Sequence, residues 1–496
     1  MSKTVDFEGK PFHFIGIGGI GMSALAYILA KRSLPVSGSD LRSTHITQRL
    51  ESVGARIFNQ QAAANLEVFH SPVQLQPVAV GVGGVGVSSK GISSAPSTPD
   101  LGAPQVVCST AIQAENQEYC AALDRGYAIF HRSDVLAALV QDYESVAVAG
   151  THGKTTTSSL VSYLLLMAGL DPTVVVGGEV DAIGGNARLG QGRYLVAEAD
   201  ESDGSLVKLS PAIGVVTNIE LDHPDHYQDL SEVVDIFQTF ARQTKVLIGC
   251  ADCATVREQL APSITYSTDP KRSATYTVSE VVYGAEGTTA TVWERGVALG
   301  TMTVPLLGEH NLGNALAAIA VARQLGIEFG VLAAAMTTFA GAKRRFEVRG
   351  VVDGITLIDD YAHHPSELQV TLAAAQLRIQ ELVKGSDRPR IIAIFQPHRY
   401  SRTLAFLEEF TQSFRDADVV IVTDIYSAGE PPNPQITGQM LADAIADHHQ
   451  QVIYQPSLPE LKSFLQNFLH AGDFALFLGA GNLNQIIPQL LHNDAI

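Results

Sequence analysis

Short apolar runs recur along this chain, each released into a glycine-containing or polar turn and then into a stretch with helical spacing. Phe12 onward reads FHFIGIGGIG, an apolar strand running into Gly16, Gly18, Gly19 and Gly21 and then a helix over Met22–Lys31. A second short strand, Val36 to Asp40, ends in an acid. The strand pattern resumes at Gln105–Cys108, runs into Ser109 and Thr110, and a helix over Asp134–Tyr143 follows. Between them, Ser71 to Pro104 is a Pro, Gly, Ser and Val mixture with no helical spacing after its glycines, which reads as a surface insertion.

Val146 to Thr157, VAVAGTHGKTTT, repeats the strand, turn and helix plan, with a helix expected over Thr156–Ala168. Strands Tyr194–Ala197 and Ile213–Thr217 each deliver a polar cluster, EADESD at residues 198–203 and NIELDH at 218–223. Alternating apolar and polar residues over Ala274–Thr303 predict antiparallel strands. An alanine-rich helix over Ala315–Leu325 comes next. Beyond Lys343 the order returns to strands at Ile355–Ile358, Ile391–Phe395, Val419–Thr423 and Phe474–Leu478, with a helix over Ser366–Leu382. Strands alternating with helices imply parallel, doubly wound sheets.

The expected architecture is α/β with three domains. Residues 1–143 form a Rossmann-like domain, 144–342 a phosphate-loop domain with added antiparallel strands, and 343–496 a second Rossmann-like domain. The length of 496 residues agrees, at roughly 100 to 200 residues per domain. A formal charge of -18 argues against nucleic acid or an anionic membrane as partner. It also means that any anionic substrate must be held by local cations. Four cysteines, with Cys250 and Cys253 in a lone C-x-x-C, suit a reducing compartment, and no signal peptide or membrane-length apolar run is present. A cytoplasmic protein is expected.

The chemistry concentrates at strand ends. Gly150 and Gly153 let backbone N–H groups converge on phosphate oxygens, Lys154 reaches the outer phosphates, and Thr155 offers its hydroxyl to a metal ion. The loop is the shortened form, with Val148 where a glycine is usual. Glu198, directly after its strand, is the strongest metal-ligating acid, since magnesium takes one or two carboxylates with phosphate and water. Asp40 stands where a ribose-binding acid would. His310, Asn311 and Asn314 suit either an adenine edge or a helix cap. Lys343, Arg344 and Arg345 are the densest basic point, a phosphate contact or a solvated run. His363, His398, Arg399 and Arg402 fall on one strand-end edge, where arginines pair bidentately with carboxylates. Together these modules imply ATP-driven joining of two substrates: a carboxylate is phosphorylated, and an amine attacks the acyl phosphate inside closed domains.

GIGGIGMS, GTHGKTTT, EADESD, DDYAHHP and FQPHRYSRT together resemble the Mur ligases over nearly the whole chain. The resemblance implies an amide bond between UDP-N-acetylmuramate and L-alanine in peptidoglycan precursor synthesis. It implies a uridine diphosphate sugar at Gly16, Gly18, Gly19, Gly21, Met22 and Ser23, with Asp40 at its ribose and Ser109 and Thr110 nearby. It implies ATP at Gly150, Thr151, His152, Gly153, Lys154, Thr155 and Thr156, with Asn311, Arg345 and Asp360 completing that site. Mg2+, with Mn2+ as a substitute, falls to Thr155, Glu198 and His223. Tyr361, His363, His398, Arg399 and Arg402 fall around the amino acid and the reacting carboxylate. A monomer or weak homodimer is expected, without membrane insertion. Departures from the family pattern are Ala362 for glycine, Thr110 for serine and Gln117 for proline. A related ligase that adds a peptide, a nicotinamide-dependent oxidoreductase and a nucleotide-gated regulatory protein are the alternatives.

Overall fold

The computed structural model describes residues 4–69, 102–380 and 388–492. The insertion expected at 71–104 therefore lies outside the described residues, apart from 102–104. The chain divides into two compact units, Met1–Leu139 and Val140–Ile496.

In the first unit a parallel sheet runs in the order Arg56–Phe58, Val36–Ser39, Phe12–Ile15, Gln105–Cys108, Ile129–His131. Its central strand is buried on both faces, with Phe12, Phe14 and Ile15 inaccessible, as parallel strands covered by helices require. The helix after it spans Ile20–Lys31, two residues earlier than expected, with Gly19 as N-cap. Polar residues also sit inside this core. His13 Nδ1 lies 2.8 Å from Ser37 Oγ, and Glu118 accepts a hydrogen bond from Asn65 Nδ2 at 2.6 Å and approaches His13 Nε2 at 3.2 Å. A buried carboxylate is tolerated there because each contact supplies a partner.

The second unit carries two sheets. The larger runs from Val297–Val304 through Gly287–Glu294, Tyr276–Gly284, Ile264–Tyr266, Val246–Cys250, Ile213–Val216, Glu144–Ala149, Tyr194–Glu198 and Thr173–Val180 to Gly185–Arg188. Its centre is parallel and its ends antiparallel, so the expected strands over Ala274–Thr303 form one end. The helix after the lysine loop is Lys154–Met167, buried from Thr155 to Leu165. It packs on the sheet and on the helix Glu309–Gln324, whose alanines allow close approach.

The smaller sheet has the order Glu347–Val352, Ile355–Asp360, Phe474–Leu478, Ile391–Phe395, Val419–Val422, Val452–Tyr454. All pairs are parallel except the first, an antiparallel hairpin that the apolar pattern does not announce. Apolar clusters fill both faces of this doubly wound sheet. Its strand ends carry Asp360, Gln396 and Thr423 on the same edge, which is where open α/β sheets bind ligands. No helix among the described residues is long and apolar enough to cross a membrane.

Candidate active site

In the first unit the glycine turn is pinned from beneath. Gly16 adopts φ +79°, and the amides of Gly16 and Ile17 donate to Ser39 O at 2.8 and 2.9 Å. Asp40 lies against the turn, where its Oδ2 accepts the Gly18 amide at 2.9 Å. A β-carbon on Gly18 would come within 2.7 Å of that oxygen, so the glycine is needed for this contact. Met22 and Ser23, expected beside the sugar nucleotide, follow in the first turn of the helix. Both are buried in the helix, and Ser23 Oγ donates to Ile20 O, so their side chains face inward. Gly19 and Gly21 stay accessible as backbone, while Ser109 is half-buried and Thr110 exposed. Arg132, not singled out from sequence, brings Nη1 within 3.5 Å of where a β-carbon on Gly21 would stand. A cation therefore borders the turn.

In the second unit the lysine loop holds the geometry of an anion cradle. Gly150 and Gly153 have φ +136° and +78°, a region that favours glycine. A β-carbon on either would meet Thr217 Oγ1 at 2.0 Å or Asn314 Oδ1 at 2.6 Å. Asn218 fixes the loop by accepting the His152 amide at 2.8 Å on its side chain and the Thr151 amide at 3.0 Å on its carbonyl. Lys154 Nζ lies across the loop, donating to Gly150 O at 2.6 Å, Thr151 O at 3.0 Å and Glu201 Oε1 at 2.9 Å. Thr156 is buried on the first turn of the following helix, whose N-terminal dipole faces the loop.

Oxygen ligands gather beside Lys154. Thr155 Oγ1 donates to Glu198 Oε1 at 3.1 Å, and the Gly177 amide donates to Glu198 Oε2 at 2.8 Å. Burial raises the Glu198 pKa against the opposing pull of Lys154 and Arg345. His223 lies 3.7 Å from Glu201 and 3.5 Å from Asp222, with backbone at φ +56°. Glu201, passed over in the sequence in favour of Glu198, thus links Lys154 to His223. Its Oε2 is buried without a hydrogen-bond partner.

Both sheets of this unit contribute to a cavity of about 420 Å³, bordered by Thr156, Asn218, His310, Asn311, Arg345 and Asp360 among others. Asn311 Nδ2 donates to Leu307 O at 2.8 Å, and its Oδ1 accepts from Asn314 at 3.2 Å. Burial lowers the His310 pKa to about 4, leaving a neutral ring. The basic run divides its tasks. Lys343 pairs with Asp181 at 2.8 Å, and Arg344 with Asp359 at 3.2 Å. Only Arg345 turns to the lysine loop, with Nη2 3.5 Å from Thr155 Oγ1 and its guanidinium over the Tyr361 ring. Asp360, pushed up to about 6 by burial, accepts the Phe346 amide at 2.6 Å and the Ala362 amide at 2.8 Å. It shapes the turn that presents Arg345. Ala362 is buried and has no left-handed φ, so the backbone there does not demand glycine.

The four residues expected on one strand-end edge, His363, His398, Arg399 and Arg402, are brought together, and each has partners. Arg402 is 2% exposed; Nε donates to Asp222 at 2.8 Å, and Nη1 lies 3.2 Å from His398 Nδ1. Arg399, at φ +74°, donates to Asp225 at 2.6 Å and reaches Glu430 at 3.5 Å. The His363 and His398 rings are 5.8 Å apart, and His398 stacks on Tyr426 at 5.7 Å. Burial is the main cause that lowers both histidines, to about 4 and about 2, so both rings are neutral near pH 7. His363 Nδ1 donates to Tyr361 O at 2.9 Å, which leaves Nε2 as the acceptor. Glu367, Tyr426 and Glu430 were not foreseen, because nothing in their local pattern separates them from solvated helix and loop residues.

Fold and site together define a phosphate-loop protein whose nucleotide-sized cavity is completed by a second α/β domain rich in histidine and arginine. Three family models match in chain order: the Mur ligase family catalytic domain over 11–144, the Mur ligase middle domain over 148–322 and the Mur ligase glutamate ligase domain over 344–481. The chain belongs to the Mur ligase family. It is 63% identical to the UDP-N-acetylmuramate--L-alanine ligase of Gloeothece citriformis, over 99% of each chain. It is 62% identical to that of Nostoc punctiforme, over 99% of this chain and 98% of the relative. Among solved structures, the UDP-N-acetylmuramate-alanine ligase of Thermotoga maritima matches with a TM-score of 0.77 and 27% identity, over 97% of this chain and 98% of that one. The murein peptide ligase of Psychrobacter arcticus, 24% identical with a TM-score of 0.67, shares the fold.

Proposed function

We infer that this chain joins L-alanine to the carboxylate of UDP-N-acetylmuramate at the expense of ATP, as a soluble cytoplasmic step of peptidoglycan precursor synthesis. The observation that carries the reading is a cavity lined both by His152, Gly153 and Thr156 of the lysine loop and by Arg345, Asp360 and Glu367 of the third domain. Lys154 belongs to the same loop, donating to Thr151 O at 3.0 Å, and the His363 ring expected at the amino acid stands 3.2 Å from Glu367 at the cavity's border. The whole-length relationship to two alanine-adding ligases supports the choice of amine over a peptide. Residues 1–143 would take the sugar nucleotide, 144–342 the ATP and 343–496 the amino acid.

The steps follow from charge. A carboxylate oxygen of the sugar attacks the γ-phosphorus and ADP leaves; the amine then attacks the acyl carbon, and phosphate departs with that oxygen. Lys154 must leave the Gly150 and Thr151 carbonyls to reach a phosphate, which the anion's stronger attraction favours. The loop amides and helix end hold the phosphates while Arg345 neutralises the transferring group. Asn311 faces the base, and Asp360 acts by holding the Arg345 turn. Neutral His363 and His398 accept hydrogen bonds from the alanine amine. Arg399 and Arg402 orient carboxylates, Arg402 from its pairing with Asp222.

A magnesium ion fits this chain's residues. Thr155 and Glu198 are hard oxygen donors in contact, and the absence of a side chain at Gly177 leaves the Glu198 carboxylate its room. Thr155, Glu198 and His223 would hold it, and when bound it lowers the charge repulsion of the phosphates. The acyl-phosphate route is tested with ¹⁸O in the sugar carboxylate. The expected result is labelled phosphate in step with amide formation; unlabelled phosphate would contradict it.

A further inference from the structure

Glu367 is a half-buried acid that the reaction does not use, yet it joins the lysine loop to the turn carrying His363. It lies in the first turn of the helix Pro365–Gln380, with its side chain 14% exposed. Oε1 lies 3.1 Å from Nδ1 of His152, a residue of the lysine loop. Oε2 accepts the His363 amide at 3.0 Å and the His364 amide at 3.3 Å, and stands 3.2 Å from His363 Nδ1. One carboxylate thus grips the phosphate loop with one oxygen and the turn carrying His363 with the other. The His363 ring in turn meets Tyr361 and His398 edge to face, at 5.4 and 5.8 Å. The loop also meets this domain through the His152 and His364 rings, 4.8 Å apart, and through Arg345, which reaches Thr155 at 3.5 Å, but the Glu367 carboxylate is the contact that also holds the His363 amide.

We propose that Glu367 is a positioning residue that couples occupancy of the phosphate loop to the binding of the amino acid. The inference rests on the function proposed above. Lys154 is folded onto the Gly150 and Thr151 carbonyls, so a nucleotide that draws it outward rearranges the loop next to His152. His152 cannot shift without pulling on Glu367, and Glu367 cannot shift without moving the His363 turn. Coupling of this kind is reciprocal: alanine tightens nucleotide binding by the factor by which nucleotide tightens alanine.

The test is a titration of the full chain with a nonhydrolysable ATP analogue and Mg2+, at saturating UDP-N-acetylmuramate, with and without saturating L-alanine. The wild type is expected to bind the analogue roughly fivefold or more tightly with alanine, the lower range of typical couplings. In Glu367→Gln the ratio should fall to within about twofold of one, while affinity without alanine changes much less than the ratio. His152→Gln, which cuts the same link from the loop side, should also lose the ratio, so the test survives if one variant fails to fold. An undiminished ratio in either folded variant, or no coupling in the wild type, overturns the proposal. Failure of the underlying reading looks different: the wild type would then release no phosphate in response to alanine.

Discussion

Gly177→Ala tests Glu198, the acid proposed to hold magnesium, without removing a charged group. Gly177 is not in the left-handed region, so alanine is compatible with its backbone. Its new β-carbon, however, would stand 2.4 Å from Glu198 Oε1 and 2.8 Å from Oε2. The carboxylate is the end of a flexible side chain and must swing away, giving up the Thr155 hydroxyl at 3.1 Å and the Gly177 amide at 2.8 Å. A hydrogen bond to a charged group contributes about 1.5 to 3 kcal/mol. If that placement is needed in the transition state, kcat falls about ten- to 150-fold, at tenfold per 1.36 kcal/mol. The assay is phosphate release at saturating substrates over a range of Mg2+ concentrations. A lower kcat with a higher half-saturating Mg2+ is expected, while binding of UDP-N-acetylmuramate stays unchanged. A kcat and an Mg2+ dependence both within about twofold of wild type would refute the assignment of Glu198.

Lys154→Ala should abolish phosphate release, and calorimetry should find sugar-nucleotide binding intact; appreciable turnover would remove Lys154 from the phosphoryl step. Asp222→Asn breaks a buried ion pair with Arg402 and should destabilise by about 3 to 5 kcal/mol, read as a lower unfolding midpoint. Asp222→Asn combined with Arg402→Met should recover much of that midpoint but not the activity. Burial opposes protonation of His152, but Glu220 and Glu367 together override it and raise its pKa to about 10. Its folded value exceeds the unfolded 6.5, so its stabilisation is complete below pH 6.5 and lost as pH rises through 10. Thermal unfolding from pH 6.5 to 10 should therefore fall less steeply in His152→Gln than in wild type; parallel profiles would count against that charge state.

Strand ends carried most of what was legible in the sequence. Parallel strands buried on both faces are mostly apolar, so Phe12–Ile15, interrupted only by His13, and Ile391–Phe395 and Phe474–Leu478 announce themselves, and the residue after each, Gly16, Gln396 and Gly479, marks the ligand edge. Helix starts were less legible: Lys154, Glu309 and Pro365 begin helices earlier than the apolar spacing suggests, because first turns are polar. The hairpin strand Glu347–Val352 was missed because an edge strand with one exposed face leaves little apolar signal. In the site, motif residues close in sequence were found, whereas partners distant in sequence were not. Glu367 meets His152 across 215 positions and Arg402 meets Asp222 across 180. No local pattern encodes such pairings. The contact of Asp40 with the Gly18 amide, across 22 positions, is likewise set by the pairing of neighbouring strands.

The central claim is amide formation between two particular substrates. Purified protein with ATP, Mg2+ and UDP-N-acetylmuramate should release phosphate only when L-alanine is added, and the sugar nucleotide should gain the mass of one alanyl residue, read by mass spectrometry. Phosphate release that ignores alanine, or a product bearing a peptide in place of a single alanyl residue, would contradict the account.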